Sequence, residues 1–258
     1  MTGPAAKKSL GQHFLADENI LGVIVRLAEL APGDVALEIG PGLGALTQVL
    51  ADRCAHVHAV EVDRGLEPHL RDLAAAPNVS LHWGDALRLD LSHLDPAPTK
   101  LVANLPYNVA TPIVAESLAG LPTVSLWCVM VQREVADRFF AVPSTKAYGA
   151  VSVLIQLAAS RTGFHPVSRS VFRPPPNVDS ALVAFRRTSL PDDFAAVRRV
   201  VEGAFAHRRK TLANSLLLAG VSTREKAAGA LGVLGLDPAV RAEALEPSTF
   251  VELTRRLG

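Results

Sequence analysis

Cysteine is scarce. Cys54 and Cys128 are the only two in 258 residues, and neither belongs to a CxxC pair. A disulfide framework and a thiolate zinc site are both excluded, and a reducing cytoplasm is expected. Long apolar runs are missing as well. The longest, Val124 to Val131 with Ser125 inside it, falls far short of the ~20 residues a spanning helix needs. Lys7 and Lys8 precede no apolar signal core, so neither membrane association nor secretion is expected. No Ser-His-Asp set, P-loop or metal-ligand cluster stands out, and no metal is expected. What is abundant is core material: 49% of residues are hydrophobic and 20% charged. That balance specifies a folded chain rather than a disordered one.

The net charge of +1 conceals a split. Residues 1–160 carry a balance of −5 and residues 161–258 a balance of +6. A basic C-terminal part is suited to a polyanion. Its densest cluster, His207-Arg208-Arg209-Lys210, makes Arg208, Arg209 and Lys210 candidates for nucleic-acid contact. The stretch from Met1 to Ala16 has no acid and adds a second small basic element.

Between residue 20 and about 185, short β-type runs alternate with helical stretches. Asp17-Glu18-Asn19 caps a helix with Ile20, Ile24, Leu27 and Leu30 on its apolar face. Strands are expected at Val35–Ile39, His56–Val60, Val79–Trp83, Lys100–Ala103 and Val124–Val131. Such alternation implies right-handed crossovers and a mostly parallel, doubly wound α/β sheet. Arg161–Val167 and Ala181–Arg186 resemble an antiparallel pair completing it. After Leu190-Pro191 only helical patterns remain. A boundary near 188 divides a catalytic domain (1–188) from a small all-helical domain (189–258).

Ligands of an open parallel sheet bind beyond the carboxyl ends of its strands. Three loops there carry suitable chemistry. Gly40, Gly42 and Gly44 follow the first strand and permit close backbone approach. Glu61 closes the second, 21 positions after Gly40, near the ~20 expected for an acid that accepts from ribose hydroxyls. Asp85 closes the third, placed to accept from an exocyclic amine. A nucleoside-type cofactor follows, with NAD and S-adenosylmethionine both open.

The fourth strand runs into Asn104-Leu105-Pro106-Tyr107. This is similar to the (Asn/Asp)-x-Pro-(Tyr/Phe) motif of methyltransferases acting on nucleobase amines. An adenine amine is a poor nucleophile because its lone pair is delocalised into the ring. If the Asn104 side-chain oxygen and the Leu105 carbonyl each accept one amino hydrogen, the nitrogen pyramidalises and its lone pair can face the methyl donor. Pro106 stiffens the loop, and Tyr107 offers a face for a flipped base.

The chain resembles the ribosomal RNA adenine dimethylases along nearly its whole length. The resemblance rests on Lys8-Ser-Leu-Gly-Gln-His-Phe-Leu15, Leu37-Glu-Ile-Gly-Pro-Gly-Leu-Gly44, Glu61-Val-Asp63, Gly84-Asp85-Ala86 and Asn104-Leu-Pro-Tyr-Asn-Val-Ala-Thr-Pro112. It continues through Lys146-Ala-Tyr-Gly149, Phe172-Arg-Pro-Pro-Pro-Asn-Val-Asp-Ser180 and Arg208-Arg-Lys-Thr-Leu-Ala-Asn-Ser-Leu216. It implies a Rossmann-like S-adenosylmethionine-dependent methyltransferase. His13, Leu15, Gly40, Glu61, Asp85 and Asn104 would bind the cofactor, and Phe172 would stack on the target adenine opposite Tyr107. Many members carry Asn where His13 stands. The implied substrate is a pair of adjacent adenosines in the 3′-terminal hairpin loop of 16S rRNA, methylated in the 30S subunit or its precursor late in assembly. The Lys146 and Arg209 stretches favour this small-subunit branch over resistance methylases of large-subunit rRNA. A ribosome-assembly factor with secondary catalysis is the other alternative, and an NAD dehydrogenase a distant third. No oligomer seam stands out, so a monomer is expected.

Overall fold

The computed structural model describes residues 6–7, 10–15 and 17–258; Lys8 and Ser9 of the N-terminal stretch lie outside them. The chain divides into two compact units, 1–136 with 161–187, and 137–160 with 188–258.

The first unit is built on strands β2 (Val35–Ile39), β3 (His56–Glu61), β4 (Val79–Trp83), β5 (Lys100–Asn104) and β6 (Leu126–Gln132). These are mutually parallel in the order β4-β3-β2-β5-β6. Every residue of β2 is buried, as expected of a central strand covered on both faces. Beyond β6 come β9 (Ser180–Arg187), antiparallel to it, and then β7 (Ala159–Val167) at the edge. The expected pair therefore finishes the sheet, with the later strand inserted inside the earlier one.

Helices α2 (Ala45–Ala51), α3 (Glu67–Ala74) and α4 (Ala110–Gly120) supply crossovers between parallel strands, and α1 (Glu18–Leu27) precedes β2. Asp17 caps α1 as its sequence requires, its Oδ1 accepting from the amides of Asn19 (2.9 Å) and Ile20 (3.2 Å). The exit of α4 is closed differently. Arg187 donates to the carbonyls of Leu118, Leu121 and Val124, and its guanidinium lies over Trp127. One charged fork thus satisfies helix-end acceptors that α4 cannot pair itself.

A small element escaped sequence reading. Phe14–Leu15 (β1) pairs antiparallel with Phe172–Arg173 (β8), bringing together residues about 157 positions apart. Two-residue strands carry no periodicity, so only the fold reveals them.

The second unit holds α6 (Ala150–Ala158), α7 (Phe194–Ala206), α8 (Leu212–Leu218), α9 (Arg224–Val233) and α10 (Pro247–Leu257); α5 (Arg133–Phe139) runs across the division at residue 136. A single cut near 188 places 137–160 with the sheet, whereas by compactness that segment belongs with the helices. Tyr148 is the anchor. Its ring is fully buried edge-on to Phe205, and its hydroxyl donates to the Leu245 carbonyl at 2.7 Å. A buried aromatic ring of that size outweighs the local chain order in deciding where the segment packs. Among the described residues no helix is long and apolar enough to cross a membrane.

Candidate active site

The carboxyl ends of β2, β3, β4 and β5 open onto a cavity of about 240 Å³ within the first unit. Its walls are the glycine loop 38–43, the strand-end residues 60–62 and 84–86, and the loop 104–109, with 10–15 across them. His13, Leu15, Gly40, Glu61, Asp85 and Asn104 all line it, as do Leu105, Pro106 and Tyr107.

The glycine loop owes its shape to backbone freedom. Gly40 and Gly42 sit at φ +76° and +59°, where L side chains are strained. A β-carbon on Gly42 would also come within 3.0 Å of the Phe14 ring, so that residue lets 10–15 close down on the loop.

Glu61 is almost completely buried, and the main chain holds both of its oxygens. Oε1 accepts from the Asp63 amide (2.8 Å) and Oε2 from the Gly42 amide (3.3 Å). Burial raises its pKa, while the backbone donors at Asp63, Gly42 and Val62 pull it back down. A carboxylate held this way keeps lone pairs for a vicinal diol. Asp85 is more open; its Oδ1 accepts from the Leu87 amide and its Oδ2 faces Arg88 at 3.5 Å.

A third acid lines the cavity. Glu38, the fourth residue of the otherwise apolar run Val-Ala-Leu-Glu-Ile, is 1% exposed, and its Oε2 is buried without a partner. Desolvation pushes its pKa up to about 8, with the nearby Thr47 hydroxyl opposing and the Glu61 charge adding to the rise. Sequence reading assigned Glu38 no role, although an acid inside a buried strand was itself the signal. Among the described residues the lining thus offers Glu38, Glu61 and Asp85 and no lysine or arginine. With Glu38 held protonated, the charges of Glu61 and Asp85 suit a cationic sulfonium nucleoside and are poorly matched to a pyrophosphate, which favours S-adenosylmethionine over NAD.

Asn104 ends β5. Its Nδ2 donates to the His13 carbonyl at 3.1 Å, which turns its Oδ1 away as the available acceptor. The Leu105 amide donates to the Met130 carbonyl (3.0 Å), fixing the loop backbone on the neighbouring strand. The Tyr107 hydroxyl meets Ser180 Oγ at 2.6 Å, and burial raises its pKa. The His13 ring lies 5.5 Å from that of Tyr107, and His13 Nδ1 donates to the Pro174 carbonyl at 2.9 Å.

The structure does not bring Phe172 to the cavity. It is 0% exposed, does not line the cavity, and lies in the core cluster with Leu15, Ile24, Val167 and Leu182. Its place in β8, opposite Leu15 of β1, directs the ring into that core instead of toward Tyr107. The ring near Tyr107 is His13. Arg208, Arg209 and Lys210 lie in the second unit, exposed at the end of α7. Arg208 is partly committed there, donating to the Tyr148 carbonyl (3.1 Å) and facing Glu243 at 3.5 Å.

A mostly parallel sheet with β9 reversed, and a cavity at its carboxyl end lined by Glu61, Asp85 and Asn104, match an S-adenosylmethionine-dependent methyltransferase. More narrowly, the chain belongs to the ribosomal RNA adenine dimethylase family, whose profile matches residues 3–256. It is 48% identical to the ribosomal RNA small subunit methyltransferase A of Rubrobacter xylanophilus, over 99% of this chain and 96% of that protein. Identity to the protein of the same name from Lactiplantibacillus plantarum is 46%, over 99% and 91%. Among solved structures, a dimethyladenosine transferase from Plasmodium falciparum shares the fold, with TM-score 0.78, 23% identity, and coverage of 93% of this chain and 96% of that one. The 23S rRNA methyltransferase ErmE matches with TM-score 0.66 and 29% identity over 95% and 99%. Among the described residues no group of three or more His, Cys, Asp or Glu is placed to hold a metal.

Proposed function

We propose that this enzyme dimethylates N6 of two adjacent adenosines in the 3′-terminal hairpin loop of small-subunit rRNA, within the 30S particle or its precursor, late in assembly. The small-subunit target is supported by the names of the relatives at 41–48% identity. The observation that carries the chemistry is the bond from Asn104 Nδ2 to the His13 carbonyl. That bond fixes the orientation of the amide and presents its oxygen to the adenine amine. That oxygen and the Leu105 carbonyl each accept one amino hydrogen, leaving the nitrogen lone pair free for in-line attack. When bound, S-adenosylmethionine supplies a methyl group made electrophilic by its sulfonium. The N–C bond forms as the S–C bond breaks, the electron pair leaves with sulfur, and the acidified N–H proton passes to water. Tyr107, held by Ser180, gives the extruded base its stacking face. Glu61 takes the cofactor ribose, Asp85 its adenine amine, Gly40 its methionine side, and His13 and Leu15 close over it.

The helical unit contributes rRNA affinity through Arg208, Arg209 and Lys210. Because Arg208 is tied to Tyr148 and Glu243, the phosphate contacts fall mainly to Arg209 and Lys210. An R209A/K210A variant should lower the steepness of log affinity against log salt by about 0.7–0.9 for each phosphate that is no longer neutralised, measured by filter binding of rRNA.

The deciding experiment is methyl transfer from radiolabelled S-adenosylmethionine to purified small subunits lacking the modification, with large subunits and naked rRNA in parallel. Label confined to small subunits and digesting to dimethyladenosine is expected. Label in large-subunit rRNA would shift the target to that of the ErmE relative. Binding without any label would favour an assembly factor.

A further inference from the structure

Asp63 stands two residues after Glu61, is 5% exposed, and does not line the cavity. Yet its groups reach two residues of the lining, Glu61 and Gln12. Its amide donates to Glu61 Oε1 at 2.8 Å. Its carboxylate receives Lys7 Nζ (2.5 Å) and the Gly65 amide (2.9 Å) on Oδ1, and Gln12 Nε2 (2.9 Å) on Oδ2. Gln12 closes the ring, its Oε1 accepting from the Lys7 amide at 2.8 Å. The described residues between and beyond these two fastenings, Leu10 to Leu15, form one wall of the cavity, and His13 among them orients Asn104.

We propose that Asp63 is a positioning residue that fastens the N-terminal segment across the cofactor cavity and couples that closure to the orientation of Glu61. The inference rests on the assignment of this cavity to the cofactor. The physical argument is one of shared anchoring. A carboxylate with several donors is stiff, and the main-chain amide of the same residue sets one oxygen of the ribose acid. Release of Lys7 and Gln12 frees the wall that covers the ligand. Because Lys7 is about half exposed (52%), its ion pair is partly screened, and the coupling is moderate in size.

The test uses the full chain and S-adenosylhomocysteine as probe, with calorimetric affinity for wild type, D63N, K7Q, D63N/K7Q and E61Q. D63N and K7Q are each expected to weaken binding by about five- to tenfold, and the double variant no further than D63N alone. Trypsin cleavage after Lys7, slowed by the probe in wild type, should be insensitive to it in D63N. K7Q, altered at a half-exposed site, carries the test if D63N folds poorly. Wild-type affinity in D63N and K7Q with weakened E61Q would overturn the fastening and leave the cavity assignment standing. Multiplicative losses in the double variant would also overturn it, because the two residues would then act independently. Wild-type affinity in E61Q as well would instead overturn the cavity assignment.

Discussion

The two sides of Asn104 are built differently. On the proposed cofactor side the main chain does much of the holding: amides of Gly42 and Asp63 fix Glu61, and positive-φ glycines shape the loop. On the target side the holding is done by side chains. Tyr107 is set by a single hydroxyl contact to Ser180, and the aromatic ring expected opposite it is buried in the core. A small rigid ligand can be met by a preorganised backbone, whereas a base drawn from RNA brings its own stacking and phosphate energy. The cofactor side is therefore the half that should tolerate substitution least in binding, and Asn104 the residue where the two halves meet.

The largest effect should follow Asn104→Ala, which removes the acceptor and the bond to His13 together. Turnover at saturating cofactor should fall by about a thousandfold or more while the far-ultraviolet circular dichroism stays native. An active N104A enzyme would separate the amide from the chemistry.

Next in size is Glu61→Gln, which keeps the shape and removes the charge. Its affinity for S-adenosylhomocysteine, measured by calorimetry, should drop about ten- to a hundredfold, with rRNA affinity unchanged. Equal losses for both ligands would erase the contrast between the two sides.

Glu38→Gln probes the buried acid through stability. In the fold its carboxyl titrates at about 8 instead of 4.5, so it stays protonated where the unfolded chain ionises. Below pH 4.5 it costs nothing; as pH rises toward 8 the wild type loses stability that E38Q keeps. The Tm of E38Q should therefore exceed that of wild type by a margin that widens from about pH 5 to about pH 8, read by scanning calorimetry. A margin independent of pH would mean that the carboxyl ionises freely in the fold.

The smallest effect is expected from Ser180→Ala, which unfastens the Tyr107 hydroxyl and leaves its ring. KM for the rRNA substrate should rise about two- to fivefold, with the KM for cofactor unmoved. A change in cofactor KM instead would show that the target-side clamp reaches across to the other half.

Much of this was legible in the chain. Period and punctuation marked the central strands and α1, because those elements bury faces that local sequence must supply. The glycine loop, the strand-end acids and Asn104 through Tyr107 were legible for a related reason: a topology of this type brings successive strand ends to one edge, so their order along the chain implies their meeting in space. Three features had no such guide. Phe172 was given a place in the site by resemblance, but pairing between β1 and β8 turns it into the core. Tyr148 joins its segment to the helices by packing on Phe205 and bonding to Leu245, 57 and 97 residues away. Lys7 and Asp63 lie 56 positions apart, each an ordinary surface-type residue in its own neighbourhood.

The sequence by itself determined the parallel sheet and the gathering of the glycine loop, the strand-end acids and Asn104 at one end of it, since each rests on local pattern and on strand order. Tertiary structure alone decided which way the Asn104 amide faces, that Phe172 packs in the core, and that Lys7 and Gln12 meet on Asp63. The reason is that these depend on donors and acceptors meeting across long chain separations, where pairing is set by packing and leaves no periodic trace.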